Sequence, residues 1–88
     1  MALHTLNVLS ETDACLAVLT AHDALIIMDS AIYILEQARD WSALPCRVCV
    51  LAEDIQAAGL TPPASVDAIH YEDWVGLSTE HQQHVAWY

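Results

Sequence analysis

Val48-Cys49-Val50-Leu51 is an unbroken apolar run, and it constrains this chain more than any other stretch. It is too short for a helix and rich in β-branched side chains, which predicts a strand buried on both faces. Polarity switches at Glu53-Asp54, Ile55 and Ala58 follow at helical spacing, and Gly59 supplies a left-handed helix stop. A buried strand that runs straight into a helix is half of a βαβ unit, so the sheet should be mainly parallel. The rest of the chain reads as further copies of this unit. The expectation is one small three-layer α/β/α domain over residues 1–88, with a mainly parallel sheet of about four to five strands.

Leu3 to Leu9 alternates apolar and polar, as a first strand does. Ser10 with Asp13 is a weak capping signal before Ala14-Cys15-Leu16-Ala17-Val18-Leu19, a helix apolar nearly all round and therefore expected to be well buried. Ala24 to Met28 is a second buried strand, Asp29-Ser30 a turn, and Ala31 to about Arg39 a second helix carried by Ile32, Leu35 and Ala38. Trp41 to Pro45 is a loop leading into the strand at 48, and Thr61-Pro62-Pro63 is a stiff spacer. Val66 to Tyr71 predicts a fourth strand, and Glu72-Asp73 opens a helix with Trp74, Val75 and Leu77. The aromatic ending Trp87-Tyr88 should dock on something, because exposed aromatics at a chain end are costly. No internal repeat or second domain is legible.

Charge narrows the function. The net charge is −10 and only Arg39 and Arg47 are basic, so direct nucleic-acid binding and anionic membrane surfaces are disfavoured. Met1 to His4 has no basic leader, the apolar runs are too short to span a bilayer, and three cysteines make no complete disulfide framework; a reducing cytoplasm is the expected compartment. With 56% hydrophobic residues in 88, some apolar side chains must stay outside, which points to association with protein partners.

The thiols are the candidate chemistry. Cys46 and Cys49 form a C-x-x-C pattern, but on a strand two residues three apart point to opposite faces, which argues for packing over redox or zinc chemistry. Cys15 lies in the second turn of the first helix, where Glu11 and Asp13 should raise its pKa; its surroundings fit a core thiol. His81 and His84 could share a helical face, yet no third ligand is evident, so neither a metal nor a cofactor is expected. With only Gly59 and Gly76 there is no phosphate-binding loop.

Four segments together resemble a known family: Leu3 to Leu6; Asp23 to Asp29 followed by Ile32-Tyr33; Val48 to Ile55 with Gly59-Leu60; and Tyr71-Glu72-Asp73-Trp74-Val75 with Leu77, Thr79, His81 and Ala86-Trp87. Their order and spacing are similar to those of the TusB/DsrH family of sulfur-relay proteins. The resemblance implies a DsrE-like fold and a heterohexamer with TusC-like and TusD-like subunits, serving a TusE-like acceptor. It implies transfer of persulfide sulfur toward 2-thiouridine in tRNA, or, in the DsrH setting, a role in sulfur oxidation. The principal relay cysteine would belong to the TusD-like subunit. Cys15 falls where some members carry a cysteine and is the candidate persulfide carrier of this chain; a structural subunit with an inert Cys15 stays open beside it. Two departures stand out: Ser30 replaces a frequent glycine, and Cys49 stands where an aromatic is common.

Overall fold

A computed structural model describes residues 2–37 and 39–87. In chain order its regular elements are β1 (Ala2–Leu6), α1 (Thr12–Ala17), β2 (Ala24–Ile27), β3 (Arg47–Leu51), α2 (Ala52–Ala58), β4 (Asp67–Ile69), α3 (Tyr71–Glu80) and β5 (Gln83–Trp87), with 3₁₀ turns at Leu9–Glu11, Asp29–Glu36 and Trp41–Ala43. The strands form one sheet in the order β4-β3-β2-β1-β5. Every pairing is parallel, as the strand-into-helix run of β3 and α2 requires.

Alternation along the strands splits the apolar side chains between the two faces. Leu6, Leu25, Ile27, Val48 and Val50 point to one side, where Cys15 and Leu19 from the α1 segment, Ile32 and Leu35 from the long 3₁₀ turn, and Ile55 from α2 cover them. Leu3, Ile26, Cys49 and Ile69 point to the other side, where, among the described residues, Trp74 and Leu77 of α3 meet them. The domain therefore has three layers of unequal weight. The central strand β2 is buried along its whole length, with Leu25, Ile26 and Ile27 fully shielded.

Several elements differ from the sequence expectation. β1 stops at Leu6 and a 3₁₀ turn takes over at Leu9, so the strand does not reach Leu9 as expected. α1 is short and amphipathic: Thr12, Cys15 and Leu19 face the core while Ala14, Ala17 and Val18 face out, so it is not buried all round, and Ser10 makes no capping bond. The second helix is 3₁₀ over Asp29–Glu36; Ala38 lies outside the described residues. A period of three suits its sequence, since it stacks Ala31 on Ile34 and Ile32 on Leu35 against the sheet. The turn is anchored where it starts: Asp29 N–H donates to Asp54 Oδ2 at 2.7 Å, and Ala31 N–H to the Asn7 carbonyl at 3.3 Å. Asp29 adopts φ +53°, a conformation that glycine accepts at lower cost. The last strand, β5, carried no strand signal in the sequence; it lies beside β1, and its Trp87 packs on the larger core cluster as the ending aromatics required. Met1 and Tyr88 lie outside the described residues.

Gly59 ends α2 with φ +72°, and Leu60 N–H reaches back to the Ile55 carbonyl at 3.0 Å while Gly59 N–H reaches Gln56 at 3.3 Å, a Schellman closure. A Cβ at Gly59 or at Gly76 would meet no atom within 4 Å, so backbone conformation alone decides both substitutions. Gly59→Ala should cost about 1 kcal/mol, and Gly76→Ala, inside α3, should stabilise by up to about 1 kcal/mol. Urea unfolding of the two variants checks these opposite signs.

Candidate functional site

Cys15 sits on the inward stripe of α1, one turn after Thr12 and one before Leu19, and is fully buried in the larger core cluster. Cys46, half-buried at the entry to β3, packs against the same cluster. Cys49 points through the opposite face into the cluster of Leu3, Ile26 and Ile69. The C-x-x-C pair is thus split by the sheet, as strand alternation demands, and the thiol that shares a face with Cys46 is Cys15. Thr12 Oγ1, on the same stripe, is buried with no hydrogen-bond partner.

Burial governs all three thiols. It pushes Cys15 up to about 12, with Cys46 nearby adding to the shift. Burial likewise takes Cys49 up to about 11, with Asp67 and Cys46 adding and Arg47 opposing. Cys46 is raised by burial and by Asp23. The expected influence of Glu11 and Asp13 on Cys15 is replaced by burial: the Asp13 side chain is 98% exposed and lies 3.8 Å from Arg39. At pH 7 a thiol with a pKa near 12 is ionised in roughly one molecule in 10⁵, so Cys15 is a poor nucleophile as it stands in the chain.

The histidines hold the fold. His81 Nδ1 donates to the Leu77 carbonyl at 2.8 Å, and His84 Nε2 to the Ser78 and His81 carbonyls at 2.7 and 2.9 Å. They satisfy carbonyls around the end of α3, which its helix cannot pair internally. They do not converge, and among the described residues no group of three His, Cys, Asp or Glu could hold a metal ion.

One cluster was not legible as a site. The Asp23 carboxylate, 8% exposed at its side chain, accepts Ala2 N–H at 3.0 Å, Thr20 N–H at 2.9 Å and His4 Nε2 at 3.3 Å. The other nitrogen of His4, Nδ1, accepts the Trp87 indole N–H at 3.1 Å, which assigns the Nε2–H tautomer. Burial pushes the Asp23 carboxyl up, but the Thr20 and Ala2 N–H groups and His4 outweigh it and hold it at about 2. The available signal was an acid immediately before the second strand and a histidine inside the first, a pattern too common to single out.

Comparison with known proteins places these features. The family model described as DsrH like protein matches residues 8–84. Protein TusB of Cronobacter sakazakii (strain ATCC BAA-894) is 31% identical over 70 residues, covering 74% of this chain and 74% of that protein.

Two outcomes follow from the geometry. In the folded free chain a thiol-alkylating reagent should label Cys46 first, with Cys15 and Cys49 labelled only on unfolding; peptide mass spectrometry reads the order. The depressed Asp23 pKa stabilises the fold above the ordinary carboxyl value of 3.8, and that contribution is lost as pH falls toward about 2. Asp23→Asn should cost about 1–3 kcal/mol at neutral pH, because the amide cannot accept all three donors, and should flatten the loss of stability between those pH values.

Proposed function

The chain belongs to the TusB/DsrH family, and on that premise we propose that it is a subunit of a sulfur-relay complex that passes persulfide sulfur toward 2-thiolation of the tRNA wobble uridine. The observation that carries this reading is the family match over residues 8–84. Its partners are TusC-like and TusD-like chains in a heterohexamer, with a TusE-like acceptor downstream and the principal relay cysteine on the TusD-like chain. The alternative setting, a DsrH-like relay in sulfur oxidation, uses the same assembly with a different final acceptor. No described helix is long and apolar enough to cross a membrane, and the proposed compartment is the cytoplasm.

The chemistry of the chain supports an accessory place in such a relay. Its thiols are held protonated, and its acidic surface suits contact with proteins more than with RNA. If Cys15 carries sulfur, its thiolate attacks the sulfane sulfur of a donor persulfide; the S–S bond to the donor breaks, the donor leaves as a thiolate, and Cys15 is left as a persulfide. That step requires assembly to uncover Cys15 and lower its pKa, since the free chain shields it completely. The same burial favours a second reading, in which the chain holds the complex together and Cys15 is a core residue.

Co-expression with TusC-like and TusD-like chains should give a stable complex in gel filtration; a well-behaved monomer that ignores both would overturn the assignment. Persulfide loading of that complex should place a sulfur adduct on Cys15, seen by mass spectrometry, and little on the free chain. Cys15→Ala should leave assembly intact and reduce tRNA thiolation, whereas Cys46→Ser with Cys49→Val should leave transfer unchanged. Full thiolation with Cys15→Ala and no adduct would select the structural reading.

A further inference from the structure

His4 is a titratable side chain that the proposed relay does not use, and it is 5% exposed. Its two ring nitrogens have opposite duties. Nε2 donates to Asp23 Oδ2 at 3.3 Å, toward the start of β2. Nδ1 accepts the Trp87 indole N–H at 3.1 Å, toward the end of β5. An indole nitrogen can only donate, so this contact requires a free lone pair on Nδ1. β5 closes one edge of the sheet and pairs with β1 alone. Among the described residues, the bond from Trp87 to His4 is the one side-chain hydrogen bond that ties β5 to another strand.

The ionised group in contact with the ring is Asp23. β2 itself contributes only apolar residues, Ala24 to Ile27. On the α1 side, Asp13 is turned to solvent, Cys15 is buried and protonated, and His22 is exposed. Cys46, near Asp23 at the entry to β3, has its thiol pushed up as well. β5 carries no charged residue, and its His84 bonds to carbonyls at the end of α3, on the other face of the sheet, where His81 bonds too. A proton on Nδ1 therefore meets a carboxylate across the ring and, on its own side, a second donor.

We propose that His4 is a proton-operated latch on the C-terminal strand: a proton taken up at Nδ1 turns that nitrogen from acceptor to donor and releases the Trp87 indole. Were Trp87 to stay, two N–H groups would face each other across 3.1 Å. The same proton turns the hydrogen bond between His4 and Asp23 into an ion pair, so the β1–β2 side tightens while the β1–β5 side lets go. The ring centroids are 6.2 Å apart, too far for the charged imidazole to recover the loss on the indole face. The closed latch needs a neutral ring, so acid favours the open form; each pH unit of acidification raises the open-to-closed ratio by up to about tenfold. Histidine suits this task because its charge ordinarily changes between pH 5 and 8. Asp23 stays ionised across that range, since its carboxyl is held at about 2. The latch is independent of the sulfur chemistry.

NMR of the full chain between about pH 8 and pH 5 tests it, across the range in which histidine titrates. Imidazole nitrogen shifts report the His4 proton, and the indole N–H resonance reports Trp87. The two should change together, with the same midpoint, while amide protection falls along β5 and holds along β2. The Trp41 indole, buried without a partner, is the internal reference and should not move. Trp87→Phe removes the opposing donor, so His4 should bind its proton about tenfold more tightly in that variant. If Trp87→Phe does not fold, the coupled titration of the parent chain decides. A His4 ring that stays neutral throughout, a Trp87 indole that ignores protonation of His4, or an unchanged proton affinity in Trp87→Phe overturns the inference.

Discussion

The Asp23 carboxylate is the contact on which the arrangement of this sheet depends. It sits where β2 begins and gathers the first N–H of β1, the N–H of Thr20 and the ring of His4. His4 then passes the connection to Trp87, at the far end of the sequence. A parallel sheet has no hairpins to set its register, so strands from distant parts of the chain need other locks. Here one buried acid aligns β1 with β2, and one histidine, bonded at both nitrogens, aligns β5 with β1. A buried polar network of this kind is favourable only when each member is satisfied, and these members are.

That clasp also explains which parts of the fold were legible. β2, β3 and α2 announce themselves because burial on both faces forces continuous apolar runs, and Gly59 marks its own left-handed turn. β5 stayed hidden because its place is fixed by the indole of Trp87 and by backbone pairing, neither of which leaves an apolar pattern in Gln83-His84-Val85-Ala86. The 3₁₀ turn over Asp29–Glu36 takes the place of the helix expected over Ala31 to about Arg39, because the apolar positions fit either period over so short a run. At the candidate site, the separation of Cys46 from Cys49 followed from strand geometry alone. The nearness of Cys15 and Cys46 did not, since it arises from how α1 lies across the sheet.

The unequal layers bear on the chemistry. The face with α1, α2 and the 3₁₀ turn is thick enough to shield Cys15 completely, which is why burial dominates that thiol. Among the described residues the opposite face is covered by α3, which contains no buried residue and leaves Tyr71 and Val75 exposed. Between α3 and the β1–β5 side of the sheet lies a groove of about 410 Å³ lined by Leu3, Trp74, His84 and Ala86 among others. A chain of 88 residues with one lightly covered sheet face has a small core to bury by itself.

The all-parallel sheet has an electrical consequence. Parallel strands send every following turn and helix start to one end of the molecule, and the sequence loads that end with Glu11, Asp29, Glu53, Asp54, Glu72 and Asp73. Carboxylates suit the first turns of helices, where the backbone presents N–H groups. Arg47 opens β3 at the opposite end, where Asp67 and Glu80 offset its charge. The carboxylates are densest at the end where the strands finish. A protein with a cationic patch would be rotated toward the acidic end before any contact forms, and added salt would erase that alignment while leaving the fold in place.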